Sequence, residues 1–528
     1  MWKIALVQPL IRAGKSLGIM KAPESIMILA GLLESLGYTV RKFHAPASPE
    51  LQAELETFNP NFVGISTMTA NFPEAQKIAH ALKNWRTGIP IIIGGWHASG
   101  CVQAHISRQE SETVSELLNP NSPFDYVVAG EGEEALPYLL RCLENSNMVQ
   151  ADNGISYYKD GQMRISQLAS RVKDLGHLPW PSWSGLDIDS YRDQRSVDEG
   201  QGSLDLSVHF NRSCRFRCGF CSTPVVYGQG VRTVPARQAV EYIEHILDRF
   251  RPQVITFTDE DFFAQPRWVE EVVSLLEQKD LAGKFKASFD TFASINDLYR
   301  LEERGQGGFL DRMKAAGFGG FTIGIESFNA DVLFSYNKEL MILPTMSIED
   351  RRIYGKLSDD QKKKTLVMHY RRRAQEAINF AMEHGIDVVG DYMLGNIGES
   401  EADVRTGFEI FTNLENLFSA YIPIFTPFPG TKLWADAYSS GLLPRDSKGN
   451  IDWTRFDASA GALNLGYDIE ALRNELEIQF YTSSRYCRDM LKKLEQNPTS
   501  KAKFLGRFNY MNREFPDNPR VQKMLDLL

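Results

Sequence analysis

The chain has 528 residues, of which 43% are hydrophobic and 24% are charged, proportions typical of folded globular domains. Domains usually hold about 100–200 residues, so the length predicts two to four of them. The net charge of −9 is opposite to the basic surface of a dedicated nucleic-acid binder and argues against a nucleic-acid partner.

Two further features restrict the class of protein. The longest apolar runs, such as IMILAGLL at 26–33, are far shorter than the ~18 residues that cross a bilayer. The amino terminus, MWKIALVQPL, lacks the charged lead and the cleavage site of a secretory signal. Six cysteines are too few for a disulfide scaffold. These patterns predict a cytoplasmic protein without a membrane span.

The first part of the chain, residues 1–145, is predicted to be a Rossmann-like α/β domain. Short apolar runs with no helical period predict strands at 3–9, 39–45, 61–67, 90–95 and 125–132. Amphipathic helical patterns separate several of these runs. Alternation of this kind indicates right-handed βαβ units and a parallel sheet.

Small and polar residues follow three of the predicted strands. Parallel sheets bind ligands at the carboxyl ends of their strands, and small residues there let a large ligand approach the backbone. The alternative is that the glycines only make tight turns and that the histidine is an ordinary hydrogen-bonded turn residue. The residues concerned are Ser66, Thr67 and Thr69 after the third strand, Gly94, Gly95 and His97 after the fourth, and Gly130, Glu131, Gly132 and Glu133 after the fifth.

The remaining chain divides into three parts. Residues 146–203, rich in Pro, Ser, Trp and Asp, are predicted to be a linker. Six strand–helix repeats over 204–435 predict a partial (β/α)6 barrel with its chemistry at the carboxyl ends of the strands. Residues 337–368 interrupt these repeats as a long polar insertion, and 436–528 have a mostly helical pattern. The predicted strands lie at 204–210, 253–258, 284–289, 320–325, 386–394 and 420–426, and the predicted helices at 235–250, 266–278, 309–316, 369–384 and 400–414.

Three of the six cysteines, Cys214, Cys218 and Cys221, lie within eight positions and have the spacing C-x3-C-x2-C. They follow the first predicted barrel strand. A disulfide would leave one thiol spare and suits the cytosol poorly. A structural zinc ion needs four ligands, and no fourth stands nearby. A [4Fe–4S] cluster with three protein ligands would leave one iron open to a substrate or cofactor.

This cysteine spacing, with an aromatic residue (Phe220) before the last cysteine, resembles the radical S-adenosylmethionine superfamily. The motifs GIST, GGWH and DYVVAGEGE resemble the cobalamin-binding domain found in one branch of it. The resemblance covers about 1–145 and 204–435. It implies three cofactors: a [4Fe–4S] cluster, S-adenosylmethionine and cobalamin.

The resemblance also assigns residues to these cofactors. It implies that Cys214, Cys218 and Cys221 ligate the cluster and that the open iron binds the amino and carboxylate groups of S-adenosylmethionine. It places an acidic stretch, Asp259, Glu260 and Asp261, near the ammonium group, and Glu326 and Ser327 near the nucleoside. It also places Phe220 among the residues near the cofactors. Residues 10–22 contain no histidine, which implies cobalamin bound without a histidine ligand.

The implied activity is radical chemistry on a small molecule. The first hypothesis is a C-methyltransferase acting on an unactivated carbon of a small molecule, lipid or natural-product precursor. The alternative is a radical cyclase or rearrangement enzyme, similar to the anaerobic porphyrin ring-forming relatives, with the same cofactors. A tRNA methylthiotransferase would need three more cysteines near the amino terminus, where the chain has two, Cys101 and Cys142. A cobalamin sensor without catalysis would not need the cysteine triad. A reducing partner such as flavodoxin or ferredoxin is expected.

Overall fold

A computed structural model describes residues 2–10, 21–193, 203–496, 501–516 and 518–528. Most of the 10–22 segment, on which the prediction about a histidine ligand rests, lies outside these residues. Within them, no helix is both long enough and apolar enough to cross a membrane.

The first sheet has seven strands in the order β2-β1-β3-β4-β5-β6-β7. β1 to β5 pair in parallel, and β6 and β7 add to the edge as an antiparallel hairpin. Its strands are β1 (Lys3–Pro9), β2 (Thr39–Ala45), β3 (Phe62–Ser66), β4 (Ile91–Gly94), β5 (Tyr126–Val128), β6 (Ile155–Lys159) and β7 (Gln162–Arg164). The helices of this part are α1 (Glu24–Ser35), α2 (Pro49–Phe58), α3 (Phe72–Trp85), α4 (Trp96–Ile106), α5 (Glu112–Leu117) and α6 (Gly132–Glu144).

The second sheet is a half-barrel with the order β16-β15-β14-β13-β12-β9-β8. Six of its strands are parallel, and only the two-residue β8 runs antiparallel. Its strands are β8 (Arg192–Asp193), β9 (Ser203–Val208), β12 (Val254–Phe257), β13 (Ser288–Ala293), β14 (Phe318–Glu326), β15 (Asp387–Tyr392) and β16 (Ser419–Tyr421). A separate hairpin joins β10 (Asn211–Arg212) to β11 (Arg232–Thr233).

Helices cover the outer face of the half-barrel and form most of the carboxyl-terminal region. Those between the barrel strands are α7 (Thr223–Tyr227), α8 (Ala236–Phe250), α9 (Pro266–Lys279), α10 (Leu281–Phe285), α11 (Ile295–Glu303), α12 (Gly307–Ala315), α13 (Ala330–Ser335), α14 (Glu339–Ile342), α15 (Ile348–Gly355), α16 (Asp359–Glu383) and α17 (Glu401–Thr412). The later ones are α18 (Lys432–Ser439), α19 (Ile469–Tyr481), α20 (Ser484–Gln496), α21 (Lys501–Glu514) and α22 (Pro519–Leu527).

Most predicted strands and helices are present with shifted ends, and three differences are larger. The polar insertion at 337–368 is helical, because Ser347 and Ser358 cap the starts of α15 and α16 and polar side chains suit their exposed faces. The predicted linker contains β6 and β7, which extend the first sheet beyond residue 145. The third barrel strand begins at Ser288 rather than at 284, because α10 occupies Leu281–Phe285.

The two sheets are held together along a tightly packed seam. Trp453 donates a hydrogen bond from Nε1 to Glu116 on α5 (2.7 Å), and Arg445 binds both carboxylate oxygens of Glu112. Gly100 on α4 lies directly against the backbone of Pro429, where an added Cβ would stand 2.4 Å from the carbonyl oxygen. The seam therefore depends on the absence of a side chain at position 100.

We predict that Gly100→Ala lowers the free energy of unfolding by about 1–3 kcal/mol, because the new methyl group overlaps the Pro429 carbonyl. Urea denaturation followed by circular dichroism measures the change. Gly308→Ala is the matched control, since Gly308 also lies in a helix and nothing within 4 Å would meet its Cβ. Equal stability of the two variants would contradict the packing described for the seam.

Candidate functional site

The three cysteines predicted to bind a metal centre lie in one loop between β10 and α7. All three are free thiols with partial exposure. The backbone N–H of Phe216 donates to Cys214 Sγ and that of Thr223 donates to Cys221 Sγ, each at 3.4 Å. Burial raises the pKa of all three thiols, that of Cys218 to about 11. They therefore need a bound cation to become thiolates at neutral pH.

The loop is fixed by backbone contacts at its centre. The N–H of Gly219 donates to the Tyr336 carbonyl (3.0 Å), and the N–H of Leu433 donates to the Gly219 carbonyl (3.1 Å). A Cβ at Gly219 would stand 2.6 Å from the carbonyl oxygen of Ser335. The ring of Phe220 packs on Tyr336, with 4.6 Å between centroids. Phe220, predicted to be near the cofactors, thus anchors the loop.

The donor chemistry of this loop suits an iron–sulfur cluster. Across the described ranges, no three His, Cys, Asp or Glu side chains converge closely enough to hold a single metal ion. A [4Fe–4S] cluster is bound by cysteine thiolates, each attached to a different iron. Three cysteines spread along one well-anchored loop fit that requirement.

The three acids of the predicted acidic stretch point to different partners. Asp259 accepts hydrogen bonds from the N–H groups of Phe210 and Asn211 (2.7 and 2.5 Å), while its other oxygen is buried without a partner. Burial raises the pKa of Asp259 to about 7. Glu260 pairs with His209 and Asp261 with Arg215, as separate ion pairs.

The His209–Glu260 pair is buried at the mouth of the barrel. The distance from His209 Nε2 to the Glu260 carboxylate is 3.1 Å. Burial alone would lower the pKa of His209, but the charge and hydrogen bond of Glu260 outweigh burial and raise it to about 10. His209 is therefore a cation at neutral pH, and this stretch is less acidic than its sequence indicates.

Glu326 ends β14 in a backbone conformation that is rare for a non-glycine residue, with φ of 68°. Its carboxylate meets Lys338 at 3.2 Å. The side chain folds back over Gly324, where a Cβ would stand 2.4 Å from Glu326 Oε1. Ser327 is buried beside it and accepts a hydrogen bond from the N–H of Asn329.

Lys338 is a site residue that the sequence reasoning missed. It is buried, which by itself would lower its pKa, but the charge and hydrogen bond of Glu326 together with other neighbouring groups raise it overall. The two residues before it contact the cysteine loop: Asn337 donates to the Arg217 carbonyl, and the Tyr336 carbonyl accepts from Gly219. Lys338 lies in a polar stretch of sequence that does not indicate a functional role, because only the folded chain brings it to the end of β14.

A cavity opens at the carboxyl edge of the first sheet, between α1 and α6. Its walls are mostly apolar, formed by side chains such as Leu6, Leu29 and Leu136. Seven of the ten residues predicted at the strand ends line it: Ser66, Gly94, Gly95, Gly130, Glu131, Gly132 and Glu133. An apolar cavity edged by glycine backbone suits a large cofactor.

The other three predicted residues lie away from the cavity. Thr67 donates its hydroxyl to the Gly94 carbonyl (2.9 Å). His97 is buried against Phe72 and Trp453, and its Nδ1 lies 3.3 Å from Thr69 Oγ1. Burial lowers the pKa of His97 to about 3, so the ring is neutral. These three residues belong to the packed side of α4.

Arg212 connects the cavity to the cysteine loop. It lies two residues before Cys214, lines the cavity, and forms buried ion pairs with Glu131 (2.9 Å) and Glu133. Arg232, on the paired strand β11, also binds Glu131. The acidic residues after β5 thus hold the cysteine loop directly over the first sheet.

The structure places a loop of three cysteines at the mouth of a half-barrel and joins it through Arg212 to the cavity of a Rossmann-like sheet. The family model "Radical SAM superfamily" matches residues 208–409, and the model "B12 binding domain" matches residues 22–140. Together the two matches cover more than half of the chain. The chain belongs to the cobalamin-binding branch of the radical S-adenosylmethionine superfamily.

Relatives across most of the chain include methyltransferases. An uncharacterized methyltransferase of Pyrococcus horikoshii is 22% identical over 88% of this chain and 85% of its own. The cytidylyl-2-hydroxyethylphosphonate methyltransferase of Streptomyces wedmorensis is 23% identical over 80% and 79%. An anaerobic magnesium-protoporphyrin IX monomethyl ester cyclase of Cereibacter sphaeroides is 22% identical over a smaller share, 66% and 56%.

Two solved structures share the fold. The cobalamin-dependent radical enzyme OxsB aligns with 100% of this chain and 74% of its own, with a TM-score of 0.61 and 15% identity. The methyltransferase TsrM from Kitasatospora setae aligns with 83% and 76%, with a TM-score of 0.59 and 16% identity. The predictions of the family, the α/β fold class and the three cofactors are confirmed.

We predict that Glu131→Gln lowers the free energy of unfolding by about 3–5 kcal/mol, because it leaves both Arg212 and Arg232 with a buried, weakened partner. Urea titration of the purified protein measures the loss. Glu134→Gln removes an exposed carboxylate from the same helix and serves as the control. A loss no larger than that of the control would show that these ion pairs do not hold the seam.

Proposed function

We propose that this chain is a C-methyltransferase that acts on an unactivated carbon of a small molecule, lipid or natural-product precursor. The observation that carries the proposal is the position of Arg212, which lines the cavity of the first sheet and stands two residues from Cys214. When bound, the cluster supplies an electron that cleaves S-adenosylmethionine, and cobalamin carries a methyl group. Both would then face one chamber.

We propose the following roles for residues of this chain. Cys214, Cys218 and Cys221 hold the cluster. Glu326 and Lys338 form an ion pair next to the segment that contacts the cysteine loop, and they offer one charge of each sign to the amino-acid end or the ribose of S-adenosylmethionine. The cavity residues hold cobalamin. The domain boundaries after residues 203 and 435 belong to the same proposal, with the first domain extended to include β6 and β7.

The electron donor and the cellular location are also part of the proposal. A cluster of this kind needs an external one-electron donor, and we propose flavodoxin or ferredoxin in the cytoplasm. The methyltransferases of Pyrococcus horikoshii and Streptomyces wedmorensis support methyl transfer, since they match 88% and 80% of the chain against 66% for the cyclase.

Anaerobic turnover with candidate acceptors tests methyl transfer against cyclisation. A methyltransferase forms S-adenosylhomocysteine and 5′-deoxyadenosine in comparable amounts, because one S-adenosylmethionine gives the methyl group and another gives the radical. Mass spectrometry quantifies both products and the methylated acceptor. Formation of 5′-deoxyadenosine without S-adenosylhomocysteine would instead support the cyclase or rearrangement alternative.

We predict that Cys214→Ala, Cys218→Ala and Cys221→Ala each lose most of the iron, about four per chain in the parent protein, and all 5′-deoxyadenosine formation. Cys487→Ala is the control, because this free thiol lies on α20, outside the cysteine loop. Iron and sulfide analysis after anaerobic reconstitution is the measurement. Full iron content in any of the three loop variants would contradict the assigned ligands.

A further inference from the structure

The inward face of the half-barrel carries acidic residues, and three of them have a lysine as partner. Lys338 pairs with Glu326, Lys21 with Asp205, and Lys493 with Asp387. Each lysine lies outside the sheet, and its side chain neutralises one carboxylate on the inward face. This arrangement sets the expectation for any further carboxylate on the same face.

Asp391 differs from these three carboxylates because it has no lysine partner among the described residues. It lies on β15 on the same face as Asp387, since alternate residues of a strand share a face. Among the described residues, no lysine, arginine or histidine forms an ion pair with Asp391. Its Oδ1 is buried and has no hydrogen-bond partner. Burial, and next the charge of Glu326, raise its pKa well above the ordinary value.

Two partly exposed aromatic rings lie on the same face of the sheet as this carboxyl group. Tyr421 is the register partner of Asp391 on β16, so the two side chains leave the sheet on one face, next to each other. Phe292, on the same face of β13, is 42% exposed and Tyr421 is 37% exposed, which is high for rings inside a barrel.

The position of this group relates it to the reacting centre. Lys338 follows Asn337, whose side chain donates a hydrogen bond to the Arg217 carbonyl in the cysteine loop, and it pairs with Glu326 at the end of β14. Asp391 lies on the neighbouring strand β15 as the register partner of Gly324, and Tyr421 lies one strand further, on β16. Asp391 and Tyr421 are therefore one and two strands away from the charged pair beside the cysteine loop.

We propose that Asp391 and Tyr421 bind the acceptor and that the acceptor carries an amino group. Its ammonium would be the missing cation of Asp391 and would lie against the ring of Tyr421, an arrangement that attracts cations. An apolar part of the acceptor would contact Phe292. The inference rests on the proposed function, because it assigns the substrate class of that same site.

Equilibrium binding tests the inference without turnover. The probes are 2-phenylethylamine, 2-phenylethanol and phenylacetate, titrated by calorimetry into the anaerobic holoenzyme with S-adenosylmethionine present and no reductant. We expect the amine to bind at least about tenfold more tightly than the other two probes, since a buried charge-assisted hydrogen bond contributes about that factor. Similar affinities for all three probes would overturn the proposal.

Variants separate Asp391 from its surroundings. Asp391→Asn should remove the preference for the amine, and Tyr421→Leu should weaken amine binding about threefold or more through loss of the cation–π contact. Asp387→Asn, on the same face but already paired with Lys493, should keep the preference. Thermal melting shows which variants are folded. Because Asp391→Asn and Tyr421→Leu are independent, one of them still tests the inference if the other does not fold.

The result also separates this inference from the proposed function. Weaker S-adenosylmethionine binding in Asp391→Asn, with probe affinities unchanged, would assign Asp391 to the cofactor and overturn the inference. Reductive cleavage of S-adenosylmethionine by the parent enzyme is measured in a parallel assay with dithionite. Absence of cleavage would count against the proposed function. The amine preference measured by calorimetry would still support or overturn the inference.

Discussion

The ion pairs between Arg212 and the carboxylates after β5 determine how this molecule brings two cofactor sites together. Arg212 precedes the cysteine loop and binds Glu131 and Glu133, which edge the cavity of the first sheet. Burial makes the arrangement costly to break, because either partner alone would be an uncompensated charge. The position of the cysteine loop relative to the cavity is thus fixed by charge as well as by packing.

The second constraint is the backbone clamp on the cysteine loop. Gly219 exchanges backbone hydrogen bonds with Tyr336 and Leu433, so segments that follow β14 and β16 hold the loop from the side. The same segment after β14 delivers Lys338 to Glu326. The cysteine loop, a charged pair and a cavity wall therefore come from distant parts of the sequence and depend on the order of the barrel strands.

Periodicity and motif spacing predicted much of this arrangement. The apolar strands and their small carboxyl-end residues indicated both parallel sheets, and the cysteine spacing indicated the cluster loop. What could not be predicted depends on contacts remote in sequence. The sequence predicted Asp261 as a cofactor contact, but its carboxylate binds Arg215. It predicted His97 as a ligand-binding residue at a strand end, but the ring packs against Trp453, about 350 residues away in the sequence. The insertion at 337–368 was predicted as polar, and its helical caps are visible only in the fold.

If the cysteine loop and the first sheet bound one chamber, iron and cobalt lie within it together. A crystal structure of the anaerobically reconstituted protein, with anomalous diffraction at the iron and cobalt edges, locates both metals. We expect an iron peak against the sulfurs of Cys214, Cys218 and Cys221 and a cobalt peak between the carboxyl ends of the first sheet and the barrel mouth. A cobalt peak outside that space, or iron away from the three sulfurs, would contradict the shared chamber.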